Sequence, residues 1–192
     1  MGLKEEKLNI RQQYFALRKG LSPAQAHLVS LEISNQFFKH FEFQGKRISC
    51  FLTIPHQHEV DTSYIIKILA SQNEIFAPVS DFNSNTMQHW QLLPEDPLPA
   101  NYYGIPEPHL RVAEARPKRI DVVIVPLLIC DLDGYRLGYG KGFYDRFLSE
   151  CRADVLKIGL NYFEPVSKIP AEDTDIPLDF LITPSNCHAF KR

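Results

Sequence analysis

Ile120-Asp121-Val122-Val123-Ile124-Val125 is almost wholly β-branched and carries a single charge. A run of this kind is a strand covered on both faces, which places it in the middle of a parallel sheet. Other short apolar runs stand at intervals on either side of it. Arg47–Leu52 and Glu74–Pro78 precede it, and Val155–Leu160 and Phe180–Thr183 follow, the latter read as the last strand. Residues 127–130 either extend the central strand or begin another, and Asp131-Leu132-Asp133-Gly134 is a turn. Met87–Leu92 is a further strand inside a proline-rich, mostly looped segment over 80–117.

Helical patterns fill the intervals. Leu3, Lys7, Ile10, Tyr14 and Leu17 recur at helical spacing over residues 3–19, and Gly20 ends that helix. Ser22-Pro23-Ala24-Gln25 reads as a capping box with proline in the first turn. The helix it starts buries Leu28, Leu31, Ile33, Phe37, Phe38 and Phe41. Asp61 or Thr62 caps a third helix carrying Ile65, Ile66, Ile68 and Leu69, and Phe143–Cys151 is a fourth. Strands alternating with helices predict an α/β fold: one domain over 1–192, three layers, a largely parallel central sheet with helices on both faces, Rossmann-like in arrangement.

Between the central strand and the fourth helix lies Gly134-Tyr135-Arg136-Leu137-Gly138-Tyr139-Gly140-Lys141-Gly142-Phe143-Tyr144-Asp145. Four of the nine glycines of the chain fall here, three of them alternating at 138, 140 and 142, so backbone N–H groups can approach a ligand closely. The helix start that follows adds free N–H groups and a positive dipole end. Arg136 and Lys141 add two cations, and together these make a site for several phosphate oxygens. Asp145, one turn onward, is placed to hold a magnesium ion bridging such phosphates. The spacing is neither the dinucleotide fingerprint nor the P-loop pattern. Read alone, the segment is also compatible with a tight surface turn, and Asp145 with a salt bridge to Arg136 or Arg146.

Arg136-Leu137-Gly138-Tyr139-Gly140-Lys141-Gly142-Phe143-Tyr144-Asp145 resembles the signature of the 5-formyltetrahydrofolate cyclo-ligase family, in which this segment binds ATP phosphates. Lys7-Leu8-Asn9-Ile10-Arg11 resembles the family's amino-terminal motif, whose Lys and Arg contact ATP. Lys7 and Arg11 are four apart and share a helix face. Glu59-Val60-Asp61-Thr62 resembles the motif whose leading Glu binds folate, and Leu52 matches an apolar folate contact. Tyr103-Gly104-Ile105-Pro106-Glu107-Pro108 resembles the loop that packs on the pterin, and Ile169-Pro170 with Asp175 resembles a segment whose Asp helps hold magnesium. The resemblance runs from Lys7 to Thr183.

The resemblance implies an ATP-dependent ligase of one-carbon metabolism that converts 5-formyltetrahydrofolate to 5,10-methenyltetrahydrofolate, with Mg2+ as cofactor and ATP as co-substrate. It implies catalytic roles for Arg136, Lys141 and Tyr144. ATP contacts would come from Lys7, Arg11, Arg136, Gly138, Gly140, Lys141, Gly142, Phe143 and Tyr144. Folate contacts would come from Leu52, Glu59, Tyr103, Tyr139 and Lys141, and metal ligation from Asp145 and Asp175. Two rivals share the glycine-rich phosphate site: a sugar-phosphate isomerase or acyl-CoA transferase, and a non-catalytic nucleotide- or folate-binding module.

Bulk properties narrow the field. A net charge of −2 with no dominant basic block predicts no nucleic-acid partner, and no apolar run reaches membrane-spanning length. The amino end lacks a secretory pattern, and Gly2 lacks the Ser or Thr at position 6 that myristoylation needs. Cys50, Cys130, Cys151 and Cys187 have no metal-ligand spacing and read as reduced thiols, which predicts a cytoplasmic protein. His56 and His58 lack a third partner for a transition metal. A monomer is the default expectation.

Overall fold

The computed structural model describes residues 2–190. Helix α1 spans Leu3–Lys19, with Glu5 and Glu6 in its first turn and Arg18 and Lys19 in its last, charges that complement the helix dipole. Helix α2, Pro23–His40, begins at the expected capping box: the Ser22 hydroxyl accepts from the Gln25 N–H, and the Gln25 side chain accepts from the Ser22 N–H. Strand β1 (Arg47–Cys50) leads through a 3-10 turn at Pro55–Gln57 to α3, Ser63–Leu69. The Asp61 carboxylate accepts from the Ser63 N–H at its start.

Strands β2 (Glu74–Asp81) and β3 (Thr86–Gln91) form a hairpin. β2 runs three residues beyond the strand read from sequence, because Val79, Ser80 and Asp81 pair across to Gln88, Met87 and Thr86. The β-branched run is β4, Val122–Pro126, and it lies at the centre of a seven-stranded sheet. After it come β5 (Ile129–Cys130), β6 (Arg136–Leu137), α4 (Phe143–Glu150), β7 (Leu156–Leu160) and β8 (Phe180–Ile182). Residues 129–130 do not extend β4. They pair antiparallel with β6 as a separate two-stranded ribbon. β8 is not the last strand, because β9, Cys187–Ala189, folds back antiparallel on it.

The strand order is β3-β2-β1-β4-β7-β8-β9. β2, β1, β4, β7 and β8 are mutually parallel, and the two edges are antiparallel. One face is covered by α2 and α3, where Ile33, Phe37, Ile65 and Leu69 pack with Ile48, Ile124 and Ile158 of the sheet. The other is covered by α4, where Phe147 and Leu148 meet Val123, Val125 and Leu181. Helix α1 lies over the ribbon, with Ile10 and Tyr14 against Ile129, Leu137 and Ile169.

The order places the site. From β1 the chain adds β2 on one side, and β4 then joins on the other. The carboxyl ends of β1 and β4 therefore diverge at a topological switch point, where a crevice opens in folds of this kind. Among the described residues no helix is long and apolar enough to cross a membrane.

Candidate active site

A cleft of about 1030 Å³ opens at that switch point. Single-ligand pockets run to roughly 300–1,000 Å³, so it has room for a nucleotide and a second flat ligand together. The loop after β1 supplies Leu52 and Glu59, and the segment after the ribbon supplies Arg136 through Asp145. Helix α1 supplies Lys7 and Arg11, the 101–106 loop Tyr103, and the 172–176 loop Asp175. Every residue assigned a catalytic, ATP, folate or metal role from the sequence thus lines one cleft. Phe82, Met87, Arg146 and Glu172 line it as well and carried no sequence signal of their own. Phe82 sits between Tyr103 and Phe143, with ring centroids 4.4 and 5.3 Å away, and completes an aromatic wall.

The glycine segment is built around arginines. Gly140 has φ +85°, and a Cβ there would stand 3.1 Å from Cζ of Arg11. Gly142, at φ +66°, is the N-cap of α4, and a Cβ there would stand 2.8 Å from Nη1 of Arg146. Both positions need glycine for the loop itself. Gly138 differs: its φ is not positive, and a Cβ would meet nothing within 4 Å. Its lack of a side chain serves the open cleft.

The basic face of α1 is not solvated. Lys7 is 5% exposed, and its Nζ donates to Glu172 Oε2 and Asp175 Oδ2, both at 2.8 Å. Burial works against its charge, but the hydrogen bonds it donates to Asp175 and Glu172, with their negative charges, outweigh that and raise its pKa. Arg11 Nε donates to the Gly138 carbonyl at 2.9 Å. Arg136 is held by the Ile176 carbonyl and by Asp145, its Nη2 lying 2.9 Å from Oδ1. Asp145 Oδ1 also accepts from the Ile176 N–H at 3.1 Å. Lys141 is exposed, and among the described residues its ammonium has no partner.

At the opposite wall Glu59 is buried. Its Oε1 accepts from the Tyr139 hydroxyl at 2.7 Å, and its Oε2 from the Ile54 N–H at 2.8 Å. Burial raises its pKa, opposed by these bonds and by the charge of Arg18. Burial also pushes the phenols of Tyr139 and Tyr144 well up, helped by the nearby Glu59 carboxylate. Both stay protonated as hydrogen-bond donors.

Asp145 and Asp175 suit a hard cation by donor type. Among the described residues no three His, Cys, Asp or Glu side chains converge as a metal cage. Magnesium characteristically takes one or two protein carboxylates and completes its shell with substrate phosphates and water. The pair therefore fits Mg2+ held jointly with a nucleotide, and does not fit a transition-metal centre. His56 and His58 sit on and just after the 3-10 turn, not side by side on a strand.

A nucleotide-sized cleft with a glycine loop, arginines and two carboxylates at a switch point narrows the class of protein. The family model described as "5-formyltetrahydrofolate cyclo-ligase family" matches residues 3–184. The chain belongs to that family. A relative in Haemophilus influenzae named 5-formyltetrahydrofolate cyclo-ligase is 30% identical over 185 residues, covering 93% of this chain and 98% of the relative. One in Mus musculus with the same name is 31% identical over 186 residues, covering 90% and 91%. The solved structure of Aquifex aeolicus 5,10-methenyltetrahydrofolate synthetase superposes with a TM-score of 0.81 at 28% identity, covering 97% of this chain and 93% of that one. The match to a family of enzymes sets aside the isomerase and transferase readings.

Proposed function

We propose that the protein closes the ring of 5-formyltetrahydrofolate to give 5,10-methenyltetrahydrofolate, with ATP going to ADP and phosphate through a phosphorylated formyl intermediate. The observation that carries this reading is the single cleft with two chemically distinct walls. One holds the glycine segment with Lys7, Arg11, Arg136 and Lys141, and the other holds Glu59, Leu52 and the aromatic loop.

The formyl group on N5 is amide-like, and its carbon resists attack. Transfer of the γ-phosphoryl group to the formyl oxygen breaks the bond to ADP and turns that oxygen into a leaving group. N10 of the same folate then attacks the carbon. The C–O bond breaks, and phosphate departs with the N10 proton. Phosphoryl transfer asks for positioning and charge neutralisation more than for covalent help. Arg136, held on two sides, and Lys141, exposed and unpaired among the described residues, neutralise the transferring phosphoryl oxygens. Lys7 and Arg11 hold the nucleotide from α1. Asp145 and Asp175 would hold Mg2+, which when bound would supply charge neutralisation to the nucleotide phosphates. Glu59 accepts from the N–H donors of the pterin, while Leu52, Tyr103 and Tyr139 pack on its ring. Tyr144, protonated, donates toward the formyl or phosphoryl oxygen. The reading takes the enzyme to be cytoplasmic and monomeric and to act on small molecules.

The test is direct. Purified protein with 5-formyltetrahydrofolate and magnesium ATP is expected to develop the near-ultraviolet band of the methenyl product, and to lose it without ATP. Arg136→Ala is expected to lower kcat on the order of 10²–10³-fold, the usual effect of deleting one donor to a transition-state oxygen. A protein that binds ATP in calorimetry and forms no band would overturn the catalytic reading.

A further inference from the structure

Arg18 is 2% exposed, a cation fully inside the protein, with no substrate-facing surface. It does not line the cleft. Its Nη2 donates to the Leu127 carbonyl just after β4, and its Nη1 donates to the Tyr139 hydroxyl at 3.0 Å. Its Nε has no hydrogen-bond partner among the described residues. An unneeded buried guanidinium with an unsatisfied N–H is costly, so its retention calls for a reason.

The reason lies in the direction of the protons. A guanidinium can only donate, so Tyr139 Oη must accept from Arg18. The phenolic proton is then committed to its other neighbour, Glu59 Oε1 at 2.7 Å. Arg18, Tyr139 and Glu59 form a chain with one polarity. Tyr139 stands between Gly138 and Gly140 in the phosphate loop, while Glu59 stands on the opposite wall.

We infer that Arg18 is a positioning residue that orients Tyr139 and holds Glu59 as a ready acceptor, tying the glycine loop to the folate wall before either ligand arrives. This rests on the proposed role of Glu59 in folate binding. The other groups around Glu59 do not titrate in the working range. Tyr139, Tyr144 and Tyr162, whose hydroxyl donates to the Glu59 carbonyl at 2.8 Å, are all pushed up by burial, and so is the neighbouring Cys50 thiol. Glu59, whose pKa burial raises and the Arg18 charge opposes, is left as the member whose protonation the loss of Arg18 can shift. Removing the positive charge beside it favours its neutral form, which is a poorer acceptor for pterin N–H groups.

The experiment compares the unmodified enzyme with Arg18→Met and Arg18→Lys. It measures KM for 5-formyltetrahydrofolate, affinity for a non-hydrolysable ATP analogue by calorimetry, and kcat/KM for the folate against pH. For Arg18→Met the folate KM at neutral pH is expected to rise about tenfold, and the acidic limb to move up by about one pH unit, since one unit corresponds to a tenfold change in occupancy. Affinity for the ATP analogue stays within about twofold, because the cations of the phosphate wall are untouched. Arg18→Lys restores the charge with a different donor geometry, and its limb should lie between the other two. It also carries the test should the Met variant not fold. An acidic limb that stays in place in both variants, or folate and nucleotide affinities that fall together, would overturn the inference. If the unmodified protein gave no methenyl band, the functional reading itself would fail, whatever the Arg18 variants did.

Discussion

The two walls of the cleft hold their charges in opposite ways. At the phosphate wall two of the four cations, Arg136 and Lys7, are matched by carboxylates that water can reach: side-chain exposure is 26% for Asp145 against Arg136, and 19% and 48% for Asp175 and Glu172 against Lys7. At the folate wall Arg18 and Glu59 are enclosed, and the Tyr139 hydroxyl joins them through protein partners alone although its ring is partly exposed. Water reaches the carboxylate side of these pairs and screens it, so a polyanion can compete for the cation. Enclosed pairs are fixed in place, because undoing one strands a charge out of water. The phosphate wall is thus an exchangeable site, in which carboxylates hold cations where phosphates would replace them. The folate wall is preset.

The difference can be broken from either side. Glu59→Gln should have the largest effect. It replaces a charged acceptor, and hydrogen bonds to charged groups are worth about 1.5–3 kcal/mol, so kcat/KM for the folate should fall roughly 10- to 100-fold. Affinity for an ATP analogue should stay nearly constant, and equal losses for both ligands would show that the walls are not separate. Lys7→Met comes next. It should weaken the ATP analogue by about tenfold and reduce the salt dependence of that binding, since one ion contact to phosphate is gone. Titrations at two ionic strengths measure both, and an unchanged salt slope would mean that Lys7 never leaves Asp175 and Glu172. The smallest effects separate two glycines. Gly140→Ala forces a side chain into a left-handed backbone against Arg11, and should cost about 1–2 kcal/mol of stability. Gly138→Ala should leave the melting temperature unchanged and weaken nucleotide binding a fewfold, because its Cβ would project into free space. Equal melting losses for both would contradict the distinction between a glycine for the loop and a glycine for the ligand.

What could be read from the sequence was local. Ser22 and Gln25 are three residues apart, and their reciprocal cap is where the pattern put it. The β-branched run at 122–125 lies at the centre of the sheet because few residues of that kind tolerate another place. The glycine segment, with Lys7 and Arg11 ahead of it, was visible because each is a short motif. The first strand of the ribbon was legible only as one of two alternatives for 127–130, and β6 and β9 were not visible, since strands of two or three residues carry no periodicity. Arg18 lay in plain view within a basic helix. Its spacing from Lys7, Arg11 and Tyr14 is that of one helix face, a signal that could have marked it. Its meaning depended on Leu127 and Tyr139, 109 and 121 positions away. The same holds for Phe82, an ordinary hairpin residue until Tyr103 and Phe143 close around it.

Helix α1 is made well before the partners of its cations. Lys7 waits for Glu172 and Asp175, 165 and 168 residues later, and Arg11 waits for Gly138. A chain growing at about 5–20 residues per second leaves that helix without its binding partners for on the order of ten seconds. The cleft therefore comes together only once the 172–176 loop has been made and helix α1 can seat on it. A nascent chain stalled before the glycine segment would have its first five strands and would lack the loop on which Arg11 is seated.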